Sequence, residues 1–343
     1  MTINRVAVRN GLGRAIPAVA TLILCASCAT GWHGEERDFR GDMRELVQDV
    51  SAYAHDSRPG FIVIPQNGHQ LLTLDGQSSG ATASDYLAAI DGVGREDLFY
   101  GYDGDDVATP APERDAMLAF MDLAEANGIQ VLATDYCSTP AKVDDSYARS
   151  ASRGYISFAA ERRELDGVPA YPAAPMNAQP AVDVSSLASA RNFLYLINPG
   201  AYATKDAYLS AIDASDYDLV IMDLFYEDAD GVATALSQTD LDTIRDKSGG
   251  GRRLLVCYMS VGEAEDYRYY WDESWDDEPP SWIAGENPYW AGNYKVEYWD
   301  SGWKAVLYGS SGAYLDRVIA AGFDGVYLDI IDAFEYFEEA LGL

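Results

Sequence analysis

Short apolar runs recur along this chain, and most are separated by stretches whose apolar residues fall at helical spacing. The runs read as strands at Phe61–Pro65, Ala89–Val93, Gln130–Thr134, Tyr155–Ala159, Phe193–Asn198, Leu219–Asp223, Leu254–Ser260 and Val326–Ile330. Continuous apolar runs of this length suit strands buried on both faces. Asp42–His55 carries Met43, Leu46, Val47, Val50 and Tyr53 on one helical face. Helical spacing returns at Glu113–Asn127, Lys205–Ala214, Leu236–Lys247 and Ala313–Ala321. Asn127-Gly128 and Ala321-Gly322 read as helix ends followed by a strand. Strands alternating with helices predict an α/β protein, specifically a (β/α)8 TIM barrel. The rival is an open doubly wound sheet. No Gly-rich dinucleotide fingerprint follows any of the runs, and Gly249-Gly250-Gly251 precedes one, which weakens that rival.

Val168–Ser189 interrupts the alternation with Pro169, Pro172, Pro175 and Pro180 among Ala and Ser. It reads as a linker between two sets of four strands. Four strands do not close a barrel, so the expectation is one domain over 39–343 with an internal linker at 168–189.

The N-terminus reads as an export signal. Arg5, Arg9 and Arg14 precede the apolar stretch Ala15–Ser27, and Cys25-Ala26-Ser27-Cys28 closes it. Residues 1–28 therefore resemble a lipoprotein signal with Cys28 as the lipidated residue, and 29–38 a tether. The expected location is the cell envelope, with contact to the membrane only through the lipid. Cys25 stands where such signals usually carry Leu, so simple secretion is the alternative. The net charge of −31 argues against a nucleic-acid partner. It suits capture of a cationic ligand, or an acidic surface adapted to salt. Cys137 and Cys257 fall in or after different strands and are expected to stay unpaired. His33, His55 and His69 have no metal-ligand spacing, so neither a metal nor a cofactor is expected.

Carboxylates mark several strand ends. Asp223 ends one run, Glu263 follows another, and Asp329 and Asp332 lie in Gly322–Asp332. Barrel active sites are built from residues at these ends. The plainer reading of each acid is a cap on the helix that follows.

Three segments resemble glycoside hydrolase family 114, closest to its bacterial and archaeal branch: Ser260–Arg268, Asn293–Trp299 and Phe323–Glu335. Pro65-Gln66-Asn67-Gly68, Ile90–Tyr100 and Val131–Tyr136 also resemble that branch. Together the likeness covers most of 40–167 and 190–340. The two blocks stand in the reverse of the family's order, which implies a circular permutation with Val168–Ser189 joining the former ends. The Phe61 strand should then pair with the Val326 strand. The resemblance implies cleavage of α-linked, galactosamine-containing polysaccharide, as an endo-α-1,4-polygalactosaminidase would perform it.

By motif, the family's acidic pair carries over to Asp329 and Glu96; Asp329 as nucleophile or base and Glu96 as general acid is one assignment, and the reverse stays open because the roles depend on each group's surroundings. Either assignment requires Glu96 to follow the strand Ala89–Val93. If Asp97–Tyr102 were the strand, Glu96 would sit at the wrong end. Candidate sugar contacts are Asp223, Glu263, Arg268, Asp332, Gln66, Asn67, Asp135 and Tyr136, each with an equally natural structural role. Arg268 in particular could simply pair with Glu263 or Glu265. Six of the chain's seven tryptophans lie between Glu265 and Trp303, where they could stack on sugar rings or pack the insertion onto the rim. Two other readings remain open: a glycan-binding envelope lipoprotein without catalysis, and a purely structural one.

Overall fold

The computed structural model describes residues 37–228 and 230–342. The signal at 1–28, the lipidation residue Cys28 and most of the tether lie outside the described residues. Among the described residues, eight parallel strands organise the fold: β1 (Ile62–Pro65), β2 (Gly92–Glu96), β3 (Gln130–Tyr136), β4 (Ile156–Ala160), β5 (Phe193–Leu196), β6 (Leu219–Met222), β7 (Leu254–Ser260) and β8 (Gly325–Asp329). They form two parallel sheets, ordered β1-β8-β7-β6-β5 and β2-β3-β4. The expected pairing of the first and last strands is present, with Ile62 opposite Gly325 and Pro65 opposite Leu328.

The sheets approach each other at both edges. On one side Gln66 forms a parallel bridge with Gly94, and the Asn67 amide donates to the Gly94 carbonyl at 2.8 Å. On the other, the rings of Phe158 in β4 and Phe193 in β5 lie 5.7 Å apart, and the Ile197 amide donates to the Leu165 carbonyl at 3.1 Å. The first helix, α1 (Phe39–Ser57), buries the face carrying Met43, Leu46, Val47 and Val50. The last, α2 (Phe334–Leu341), packs beside it. Phe39 stacks on Phe337 at 5.5 Å, and Arg40 grips Glu338 through two hydrogen bonds of 2.8 Å.

Several boundaries move from their expected places. The strand expected at Ala89–Val93 lies at Gly92–Glu96, because Ala89 still closes the short helix Ser84–Ala88. Asp91 then turns its carboxylate onto the Val63 amide at 2.9 Å. The helix expected over Leu236–Lys247 forms only at Gln238–Thr243, where Ser237 and Asp240 make a reciprocal cap. Beyond it, Asp246 bridges back to Arg252. The Phe193–Asn198 run leaves the sheet at Leu196, ahead of the helical turn that Pro199 begins.

Val168–Ser189 is not a loose connector. The Gln179 side chain donates to Asp218 at 2.7 Å, and Lys247 Nζ donates to the same carboxylate at 2.8 Å. Gly251 and Val184 extend the seam with backbone bonds of 2.8 and 2.9 Å. The segment thus covers the start of β6 and β7. Cys137 and Cys257 are buried and unpaired.

The aromatic insertion forms an antiparallel sheet from Glu263–Glu265, Asn293–Val296 and Ile283–Glu286. Its tryptophans pack mainly on one another. Trp271, Trp275, Trp282 and Trp303 make a chain of ring contacts at 5.1 to 5.2 Å, and Trp299 packs on Phe337 at 4.8 Å.

Candidate active site

Glu96 is the last residue of β2, so its side chain stands at the C-terminal end of the sheet. Three donors converge on its carboxylate. Gln66 and Tyr136 each donate to it through their side chains, and Asn67 Nδ2 donates at 3.1 Å. These partners come from the ends of β1 and β3, the strands on either side of β2. Asn67 adopts a left-handed backbone with φ of 63°. That conformation is tolerated by Asn more readily than by most residues, and here it aims the amide at Glu96. A further layer fixes these donors. Tyr195 Oη donates to Gln66 Oε1 at 2.8 Å. The Arg163 guanidinium lies 4.0 Å from the Tyr136 ring centroid and donates to Asp97 at 2.7 Å.

Asp329 ends β8 directly opposite Ser260 of β7. Tyr258 Oη donates to its carboxylate at 2.6 Å. Burial, reinforced by the neighbouring charge of Glu96, pushes Asp329 up to about 8. Burial together with the negative charges of Glu96 and Asp329 also pushes the Tyr327 hydroxyl up. Tyr327 lies two residues before Asp329 and so on the same face of β8. Its buried hydroxyl has no hydrogen-bond partner. A Cβ at Gly94 would overlap this hydroxyl. The missing side chain at Gly94 therefore makes room for the Tyr327 ring.

The remaining candidates divide by position. Asp332, one helical turn beyond Asp329, is pushed up to about 6 by burial and by Glu335. Asp223 follows β6 and is bound twice by Arg268, at 2.9 and 2.8 Å. Arg268 also donates to Glu265 at 2.6 Å. Its pairing thus falls on Glu265 and Asp223 rather than on Glu263. Asp223 and Arg268 line a cavity of about 430 Å³ with Glu164, Asn198, Phe225 and Tyr267. Glu263 is held by Lys295 at 3.0 Å, Asn287 at 2.8 Å and Asn293 at 3.3 Å, so it anchors the insertion. Asp135 faces away from Glu96. It accepts from the Phe99 and Tyr100 amides at 2.8 and 3.2 Å and from Ser146 at 2.6 Å, and burial pushes it up to about 6.

Tyr258, Tyr195, Tyr327 and Arg163 join the site without having stood out in the sequence. The available signal was positional. Tyr258 and Tyr327 face each other in register on adjacent strands, each two residues before the strand end. A polar-tipped ring there serves the rim.

Two carboxylates, Glu96 and Asp329, thus stand at the C-terminal ends of parallel strands of an α/β protein, in contrasting surroundings. Residues 187–343 match the model of glycoside-hydrolase family GH114, and this part of the chain is similar to that family. Among similar proteins, an uncharacterized protein of Methanocaldococcus jannaschii is 37% identical over 164 residues, covering 48% of this chain and 43% of the relative. One of Deinococcus radiodurans is 41% identical over 127 residues, covering 37% of each chain. One of Thermotoga maritima is 51% identical over 84 residues, covering 24% of this chain and 25% of the relative. The chain thus spans less than half the length of these relatives.

Proposed function

We propose that this protein is an exported glycoside hydrolase cleaving α-linked, galactosamine-containing polysaccharide. Asp329 and Glu96 act as the acid pair. The observation that carries the reading is the contrast between the two groups. Asp329 is held protonated near neutral pH by burial and by Glu96, as a general acid must be. Three side-chain donors, from Gln66, Asn67 and Tyr136, converge on the Glu96 carboxyl. In this reading Asp329 protonates the leaving oxygen, and Glu96 is nucleophile or base. The chain uses no group beyond its own side chains in this scheme. The family match supports the glycan class of substrate.

The fold that belongs to this reading is a closed (β/α)8 barrel. Both sheet edges meet, through Gln66 with Gly94 and through Phe158 with Phe193, which supports closure. Pairing of β1 with β8 supports a permuted order. Export and lipid attachment at Cys28 rest on the N-terminal sequence.

The experiment compares hydrolysis by residues 29–343 with that by Asp329→Asn and Glu96→Gln on acetylated and deacetylated galactosamine and glucosamine polymers. Loss of cleavage in both variants, by about 10²- to 10⁴-fold, is expected. Full activity in either one sinks the assignment. Tight binding without cleavage by the unaltered protein would favour a glycan-binding protein instead.

A further inference from the structure

Of the tryptophans in the insertion, Trp290 alone is exposed, at 54%, and its neighbour Tyr289 is exposed at 66%. Their ring centroids lie 6.4 Å apart in an edge-on arrangement. Both sit at the tip of the hairpin between Ile283–Glu286 and Asn293–Val296. Exposed single aromatics are ordinary, but this tip is hydrogen-bonded within itself. Asn287 Oδ1 accepts from the Tyr289 amide at 3.0 Å. The Trp290 amide donates to the Asn287 carbonyl at 3.3 Å, and the Asn293 amide donates back to the Trp290 carbonyl at 3.1 Å. The Gly292 amide donates to Glu286 at 3.0 Å. Below the tip, the buried carboxylate of Glu263 holds Asn287, Asn293 and Lys295. The hairpin is thus stitched into the insertion while its two rings are left in water.

The same hairpin is rooted on the rim that carries the acid pair. Its partner strand, Glu263–Glu265, follows β7 directly, and the Val261 amide donates to the Asp329 carbonyl at 3.1 Å. We propose that Tyr289 and Trp290 form an outlying glycan subsite, on which a sugar ring of a polymer engaged at the strand-end site stacks its apolar face. The choice of ligand follows from two observations. A rigid aromatic pair offers contact area at little entropic cost. The tip bears no Lys or Arg, and the chain's charge of −31 opposes anionic lipid or nucleic acid. A neutral or cationic sugar meets no such repulsion, and a cationic one gains from the ring faces. The inference rests on the proposed glycan-directed function but not on catalysis.

The test uses residues 29–343 carrying Asp329→Asn, so that no probe is consumed. Binding of a soluble, partly deacetylated galactosamine polymer is measured with and without Tyr289→Ser/Trp290→Ser, alongside short oligomers of the same sugar. Polymer affinity should fall by about tenfold, the equivalent of about 1.4 kcal/mol, while oligomer affinity stays unchanged. In the Asp329-intact protein, the same pair of substitutions should raise KM for polymer and leave kcat on oligomers unaltered. Equal polymer binding with and without the pair overturns the subsite. So does capture of the protein by phosphatidylcholine vesicles that depends on the pair. Polymer binding lost with the pair, in a protein that never cleaves, would retain the subsite and remove only the hydrolase reading.

Discussion

Asp329 holds opposing demands in one side chain. Its carboxyl is pushed up to about 8, first by burial and next by Glu96, while the Tyr258 hydroxyl pulls the other way. As a general acid it works while protonated, so activity should decline as pH rises through about 8. Tyr258→Phe removes the donor that favours the ionised form, and the alkaline limb should then move to higher pH by about one unit. A limb that stays put, or moves down, would mean that another group titrates. The same shift has a stability consequence. A group whose folded-state value lies above its unfolded value of 3.8 contributes stability below that pH, and the contribution is lost as pH rises towards 8. Asp329→Asn should therefore gain in Tm relative to the unaltered protein between pH 5 and pH 8, by a few degrees. A Tm difference that is flat with pH would contradict the shift. Gly94→Ala reports on the same cluster sterically. Its Cβ would overlap the Tyr327 ring and hydroxyl, and overpacking of this kind costs about 1–3 kcal/mol, readable as a lowered denaturant midpoint.

Individual elements were legible in the sequence to the extent that they bury apolar runs. Seven of the eight strands announce themselves as apolar runs, because a strand covered on both faces has no polar alternation to obscure it, whereas β2 carries Gly, Arg and Glu and shares only Gly92 and Val93 with the run expected there. The β2 boundary was misplaced because Ala88 and Ala89 suit a helix end as well as a strand start, and the capped turn won. Glu96 could be placed at a strand end only as one of two alternatives. Its donors Gln66, Asn67 and Tyr136 stand out in the sequence, but Tyr195 and Arg163, which hold Gln66 and Tyr136, are brought to them only by the tertiary fold. The Pro-rich segment reads as a linker by composition, and its clasp over Asp218 and Lys247 is not visible in that composition. Lys247 and Asp218 beneath it have fully buried side chains. Removing one partner leaves the other charged in the interior, so Lys247→Met should cost about 3–5 kcal/mol in a denaturant titration, and Lys247→Met with Asp218→Asn should recover part of it. If the single variant is neutral, the seam contributes little and the linker is held by its backbone bonds.

At the scale of the whole molecule, the described ends meet. Phe39 and Arg40 at the start of α1 contact Phe337 and Glu338 in α2, and Tyr298 donates to the Phe39 carbonyl at 2.8 Å. The match to GH114 covers residues 187–343, which hold β5 to β8, while β1 to β4 precede the Pro-rich segment. If the present order is a permutation, the chain should tolerate being returned to the other order. A short flexible connection would join residue 342 to residue 38, and the chain would open within 168–189 and begin near Ala190. The closeness of the described ends makes the new connection geometrically easy, since termini that lie together permit such rearrangement. The cost should come from the clasp, because opening near Gln179 frees the cover over Asp218 and Lys247. Opening nearer Val168, so that Gln179 and Val184 travel with β5, should retain those bonds. The second version is expected to unfold cooperatively within a few degrees of the original Tm and to keep its glycan binding. The first should be measurably less stable. A reordered chain that folds in neither version would show that β1 and β8 must be laid down first and last, and the permutation reading would fall.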